Sequence, residues 1–259
     1  MPGTWTNLDE HPLTRENLRL LLDNRIAAIR IKGFATPQEC AVFVAAAKQV
    51  QLKYYSVGKI GYIGLAQYEY RWDRPKEDYF HDAFQADEDI ALVYKNSFNP
   101  VQRFIDQLHA VWQAPVEIAR EEKGKYYAGI VRSTTERIDL HVDWAPVNSP
   151  TYDIGAIDGQ LGWNFFAEEL LEGGHTTVHN APWDPEVTPG EIPKSYGLDR
   201  TLVEGAKKIQ YRPTAGDVVL FNSRNPHEIM SGTTEPGRSR MSIGSFVGRM
   251  PSGKLVLWS

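Results

Sequence analysis

Apolar residues recur at helical spacing through the first part of the chain and at strand spacing through the second. In "TRENLRLLLDNR" (14–25) leucines repeat three and four apart behind Thr14, which predicts a helix with Thr14 as its N-cap. "IAAIRI" (26–31) reads as a short strand. In "FATPQECAVFVAAAKQV" Thr36, Pro37 and Glu39 supply a cap, a first-turn proline and a capping-box acid, so a helix is expected from about 37 to 50. Asn99 and Pro100 open another helix through "VQRFIDQLHAVW". The intervening "YYSVGKIGYIGLAQYEYRWDRPKEDYF" is rich in aromatics and glycine and reads as short strands and long loops.

From about residue 125 the period changes. "KYYAGIVRS", "IDLHVDW", "GQLGWNFFA", "HTTVHN", "KKIQYRP", "DVVLFNS", "RMSIGSFVG" and "KLVLW" all read as strands separated by turn residues. Eight short strands with almost no helix between them predict an antiparallel sandwich or barrel. The Pro/Gly-rich insert 181–206 is expected to be a loop near a site mouth, able to close over it. The pattern predicts one domain over 1–259 in the α+β class with a mainly β core: a helix-rich part, 1–124, packed on a strand-rich part, 125–259.

The 259 residues suffice for a sizeable core, and 42% hydrophobic with 24% charged content is that of a soluble globular chain. A net charge of −5 argues against nucleic acid as a partner. The single cysteine, Cys40, forms no internal disulfide and points to a reducing, cytoplasmic setting. The opening residues predict no secretory leader, and apolar runs such as "AVFVAAA" (41–47) are too short for a membrane span.

Chemistry concentrates in "IDLHVDWAP" (138–146). On a strand, His141 and Asp143 project to one face. His227 follows 84 positions later, delivered by a short loop after the strand "VVLF", and Arg240 opens the strand "RMSIGSF". Two neutral imidazoles and a carboxylate are the donor set of an oxygen-activating iron site, with positions left open opposite them. An arginine suits a chelating co-substrate's distant carboxylate.

This order, "HVD…H…RMS" within a run of eight strands, resembles the Fe(II)/2-oxoglutarate-dependent dioxygenases over roughly residues 125–250. "AIRIKGFATPQEC" resembles the strand-turn-helix that often precedes their core. The resemblance implies a double-stranded β-helix (jelly-roll, cupin-like) fold. It implies His141, Asp143 and His227 as iron ligands, and Arg240 with Ser242 as the anchor of the 2-oxoglutarate C5 carboxylate. Arg238 shares their parity and competes for that role; Asn164 is a further candidate contact for the co-substrate. The co-substrates are then 2-oxoglutarate and dioxygen, and the products succinate, carbon dioxide and a hydroxylated small molecule, such as a free amino acid or specialised metabolite. Related halogenases replace the carboxylate ligand with Ala or Gly so that chloride takes its place; Asp143 therefore implies hydroxylation, with desaturation and cyclisation using the same ligands. Arg71, Trp72 and Arg74 are candidates for holding a substrate carboxylate. Tyr126, Tyr127 and Arg132, on the preceding strand, are possible pocket residues.

Two other readings fit parts of the pattern. His175 and His179 lie four apart and, with His141, would make a three-histidine cupin-type metal site. Alternatively the jelly roll is a non-catalytic binding module.

Overall fold

The structure, a computed structural model, describes residues 4–55, 60–71, 74–187 and 191–259. Helix α1 (Arg15–Leu22) starts at Thr14, whose side chain accepts the Asn17 N–H. Helix α2 (Pro37–Ala47) carries the complete capping box: Thr36 Oγ1 accepts from Glu39 N, and Glu39 Oε2 accepts from Thr36 N at 2.8 Å. Helix α3 (Lys76–Lys95) lies where the pattern predicts no helix. Helix α4 (Pro100–Val111) is capped by Asn99 with Pro100 in its first turn.

Eleven strands matter for the site. They are β1 (Ala28–Ile31), β2 (Gly61–Ile63), β3 (Ile130–Thr134), β4 (Ile138–His141), β5 (Gly159–Glu168) and β6 (Thr176–His179). Then come β7 (Lys208–Tyr211), β8 (Val218–Asn222), β9 (His227–Ile229), β10 (Arg240–Arg249) and β11 (Leu255–Trp258). A large sheet runs β1-β8-β5-β10-β3-β2, with β11 also paired to β10. A four-stranded sheet runs β7-β6-β9-β4. From β3 to β10 the chain passes back and forth between two antiparallel sheets in the jelly-roll manner, with the β6–β7 pair staying in the small one. Two features add to the expected pattern. His227, delivered by the short loop after β8, opens a further strand, β9, and the N-terminal β1 joins the large sheet through β8.

The long strands β5 and β10 show how the sequence separates two environments. In β10, Met241, Ile243 and Val247 belong to the main core, whereas Arg240, Ser242 and Gly244 face a cavity between the sheets. This is the period of two with one face polar. On the core side of β5, Trp163 stacks on Phe104 of α4 with ring centroids 4.3 Å apart, and Phe165 packs edge-on to Phe43 of α2. The helices therefore cover one face of the large sheet, and the small sheet lies across part of the other. Phe166 and Phe221 from the large sheet meet Val178, Ile209 and Tyr211 from the small one. Among the described residues, no helix is long and apolar enough to cross a membrane.

Candidate active site

Strand β4 ends at His141, and β9 begins at His227 directly opposite it in the antiparallel ladder. Adjacent strands thus set the two imidazoles side by side, with ring centroids 4.1 Å apart. Asp143 lies just beyond β4, not on it. Its backbone is tied down on both sides: its N–H donates to the Ser223 carbonyl and its carbonyl accepts the Ser223 hydroxyl, each at 3.0 Å. Asp143 Oδ2 then lies 3.4 Å from His227 Nε2 and 3.9 Å from His141 Nε2. One donor atom from each of the three residues falls within 4.8 Å of the others.

The ring orientations are set by the backbone. His141 Nδ1 lies 2.7 Å from the Asp139 carbonyl oxygen, and His227 Nδ1 lies 3.0 Å from that of Asn225. A carbonyl only accepts, so each Nδ1 carries the proton and each Nε2 turns a lone pair inward. Burial, then the neighbouring His227, pushes the His141 pKa down to about 4, against the opposing pull of Asp143. Burial acts to raise the Asp143 pKa, but the neighbouring His227 and His141 and the Arg132 charge together bring it below its ordinary value. Neutral imidazole and ionised carboxylate are the ligating forms. The donor set therefore fits a divalent first-row metal such as Fe(II).

The cavity beside this cluster has a volume of about 350 Å³, within the range of small-molecule sites. Arg240 and Ser242 line it, 3% and 5% exposed. Burial pushes the Arg240 pKa down to about 10, with Tyr211 pulling the other way. Arg240 Nε and Nη1 are buried with no hydrogen-bond partner. An unpaired buried guanidinium is costly. A carboxylate filling the cavity relieves that cost, so the site also fits a dicarboxylic co-substrate. Arg238 is placed elsewhere: it precedes β10, faces solvent and pairs with Glu168 at 3.4 Å and Glu235 at 3.9 Å. The expectation that it shares a strand face with Arg240 fails because β10 begins only at Arg240.

Asn164 lines the cavity from β5, opposite Gly244. A side chain at Gly244 would meet Asn164 Oδ1 at 2.7 Å and Arg132 Nη1 at 3.1 Å. The missing Cβ at Gly244 thus lets Arg132 lie across β10 into the cavity. The sequence names Arg132 only as a pocket neighbour; the signal for a larger part is this glycine on the next strand. Tyr126 and Tyr127, by contrast, are core residues. Of the substrate candidates, Arg71 lines the cavity with its guanidinium 5.1 Å from the Tyr68 ring. Arg74 does not line it: it stacks on Tyr70 and pairs with Asp82. Trp72 lies outside the described residues.

The three-histidine set does not assemble. Among the described residues, His141, Asp143 and His227 are the one group of three or more metal-ligating side chains. His179 neighbours Val178, the residue paired with His227, and projects to the opposite face of the small sheet, 3.5 Å from Glu228.

Comparisons with known proteins agree with this geometry. The family described as carrier-protein-independent halogenase WelO5 matches residues 4–259. The chain is 29% identical over 214 residues to leucinostatins biosynthesis cluster protein S of Purpureocillium lilacinum, covering 77% of this chain and 86% of that one. It is 26% identical over 271 residues to the L-gamma-glutamyl-L-propargylglycine hydroxylase of Streptantibioticus cattleyicolor, covering 99% and 97%. An N-substituted L-amino acid dioxygenase from Burkholderia ambifaria superposes with a TM-score of 0.62 at 15% identity, covering 95% and 91%. The alpha-ketoglutarate-dependent epimerase SnoN of nogalamycin biosynthesis gives 0.55 at 13%, covering 92% and 86%. The chain belongs to the WelO5 family and is an Fe(II)- and 2-oxoglutarate-dependent oxygenase.

Proposed function

We propose that this enzyme hydroxylates an unactivated C–H bond of a small amino-acid-derived molecule. In this reading His141, Asp143 and His227 hold the iron, and Arg240 with Ser242 anchors the C5 carboxylate of 2-oxoglutarate. The observation that carries it is Asp143. The family takes its description from halogenases, yet this chain keeps a carboxylate 3.4 Å from His227 Nε2, where a halogenase would need room for chloride. When bound, the iron supplies dioxygen activation coupled to decarboxylation of 2-oxoglutarate.

The chain's own residues do the positioning. The Asp139 and Asn225 carbonyls hold the two imidazoles in the ligating tautomer. Arg240, itself buried, sets the depth of the co-substrate in the cavity. Asn164 and Arg132 offer an amide oxygen and a guanidinium further along the same floor. Arg71, at the cavity wall, meets a substrate carboxylate. The relatives' names support an amino-acid-derived substrate: one is a hydroxylase of a gamma-glutamyl amino acid, another a dioxygenase of N-substituted amino acids. We further infer a single folded unit, with the helix-rich residues 1–124 buttressing the jelly-roll residues 125–259. The lone buried Cys40 supports a reducing, cytoplasmic setting.

The first test is anaerobic. Fe(II) and 2-oxoglutarate should give the visible charge-transfer band of the chelate in the wild type and none in His141→Ala. Free L-amino acids, N-acyl amino acids and gamma-glutamyl dipeptides are then screened with oxygen and chloride present. A product heavier by one oxygen, formed with succinate, supports hydroxylation; a chlorinated product overturns it.

A further inference from the structure

The insert 181–206 reads as a loop, but its second half is built into the small sheet. Val142 N–H donates to the Ser195 carbonyl and Leu198 N–H to the Leu140 carbonyl, both at 2.9 Å. Between them Tyr196 pairs with His141 as an antiparallel bridge. Residues 195–198 therefore satisfy the outer edge of β4, which otherwise has β9 as its only ladder partner among the described residues. Leu198 and Val203 bury against Leu140 and Val142. The Tyr196 ring lies 5.6 Å from the His141 ring, at the cavity wall.

One ion pair ties this strap to the other histidine strand. Arg200 forks onto Glu228, with Nη1 to Oε1 at 3.1 Å and Nη2 to Oε2 at 2.5 Å. Glu228 follows His227 on β9, so it points away from the cavity while His227 points into it. Its side chain is 6% exposed, and its other neighbours are Arg137 at 3.4 Å and His179 at 3.5 Å. A nearly buried carboxylate gripped by two parallel N–H donors is a strong and directional link.

We propose that Arg200 and Glu228 are positioning residues for the metal site: their pairing locks the 195–203 strap onto β4 and so fixes His141 relative to His227. The proposal rests on His141, Asp143 and His227 being the metal ligands. Nothing in it requires Arg200 to touch substrate, co-substrate or metal.

The test uses Co(II) alone, titrated anaerobically and read by its visible ligand-field bands, with hydrogen exchange at the Val142 and Leu198 amides alongside. Arg200→Ala should weaken Co(II) binding by about tenfold or more, the range for losing an outer partner of a metal site. It should also speed exchange at both amides while Tm moves by only a few degrees. Arg200→Lys, which keeps the charge but not the fork, should recover part of the affinity. Co(II) affinity in Arg200→Ala within twofold of wild type overturns the proposal. If that variant does not fold, Arg200→Lys decides: wild-type affinity and exchange overturn it, an intermediate loss supports it. A wild type that binds no Co(II) overturns the metal reading and the strap together, whereas normal wild-type binding with an indifferent Arg200 sinks the strap alone.

Discussion

Asp143 stands between two imidazole nitrogens, and its backbone is pinned by Ser223 through two hydrogen bonds. Asp143→Ala should therefore abolish substrate hydroxylation and leave the fold intact. The loss in kcat/KM should exceed the roughly 100-fold seen when only an outer partner of a metal ligand is removed; retained turnover would falsify the ligand assignment. The two candidate anchors separate as cleanly. Arg240→Met removes a buried cation facing the cavity, so KM for 2-oxoglutarate should rise by about 30- to 1,000-fold, equivalent to roughly 2–4 kcal/mol. Arg238→Ala removes an exposed partner of Glu168 and should leave that KM nearly unchanged. Steady-state kinetics with varied 2-oxoglutarate distinguishes the two. His-x-Asp, the later His and the strand-opening Arg are legible in the sequence because each keeps a fixed relation to its strand. Which arginine faces inward is not, because that depends on where β10 starts pairing with β3 and β5.

Elements follow local signals where those signals are strong. α2 has its predicted capping box, and its Glu39 does a second task by pairing with Arg103 of α4 at 2.6 Å. That hydrogen bond, followed by the one from the Thr36 backbone, lowers the Glu39 pKa to about 2. A depressed carboxylate stabilises the fold above its ordinary pKa near 4.5, and the contribution is lost as pH falls toward about 2. Glu39→Gln should thus lower stability at neutral pH and flatten its acid dependence between about pH 4.5 and pH 2, as urea melts across that range would show. An unchanged acid limb would count against the pairing. Helix α3 escapes prediction for a physical reason. Its entry residue Pro75 offers no capping side chain, and its buried stripe mixes small and aromatic residues (Tyr79, Phe80, Ala83, Ala86, Ile90, Val93) with acids between them. Tertiary packing supplies what local propensity does not. The short β9 escapes for a related reason: three residues carry too little periodicity to show, and its pairing with both β4 and β6 creates it.

At the scale of the whole molecule, two sheets close on a cavity that collects polar groups from β3, β5 and β10 on one side and β4 and β9 on the other. Such a site holds groups that are costly while unpaired, Arg240 above all. Metal and co-substrate should therefore stabilise the fold together. At 100 times the dissociation constant, ligand adds about 2.7 kcal/mol, which for a chain of this size is roughly 5–10 °C in Tm. Co(II) with 2-oxoglutarate should raise Tm by that order in the wild type, chelator should reverse it, and Arg240→Met should retain the metal part while losing most of the co-substrate part. Equal shifts in both proteins would place 2-oxoglutarate elsewhere.

The sequence by itself determined the two periodicities, the capped helices α1, α2 and α4, most of the strands, and the residue types of a metal and carboxylate site. Those depend on neighbours within a few positions, where spacing alone decides which side chains share a face. Only the tertiary structure decided that His227 sits across a ladder from His141, that Arg238 turns out to Glu168, that His179 faces away, that Gly244 opens a path for Arg132, and that the insert is a strap on β4. Each of these is set by register between strands distant in sequence, and a shift of one residue reverses every face.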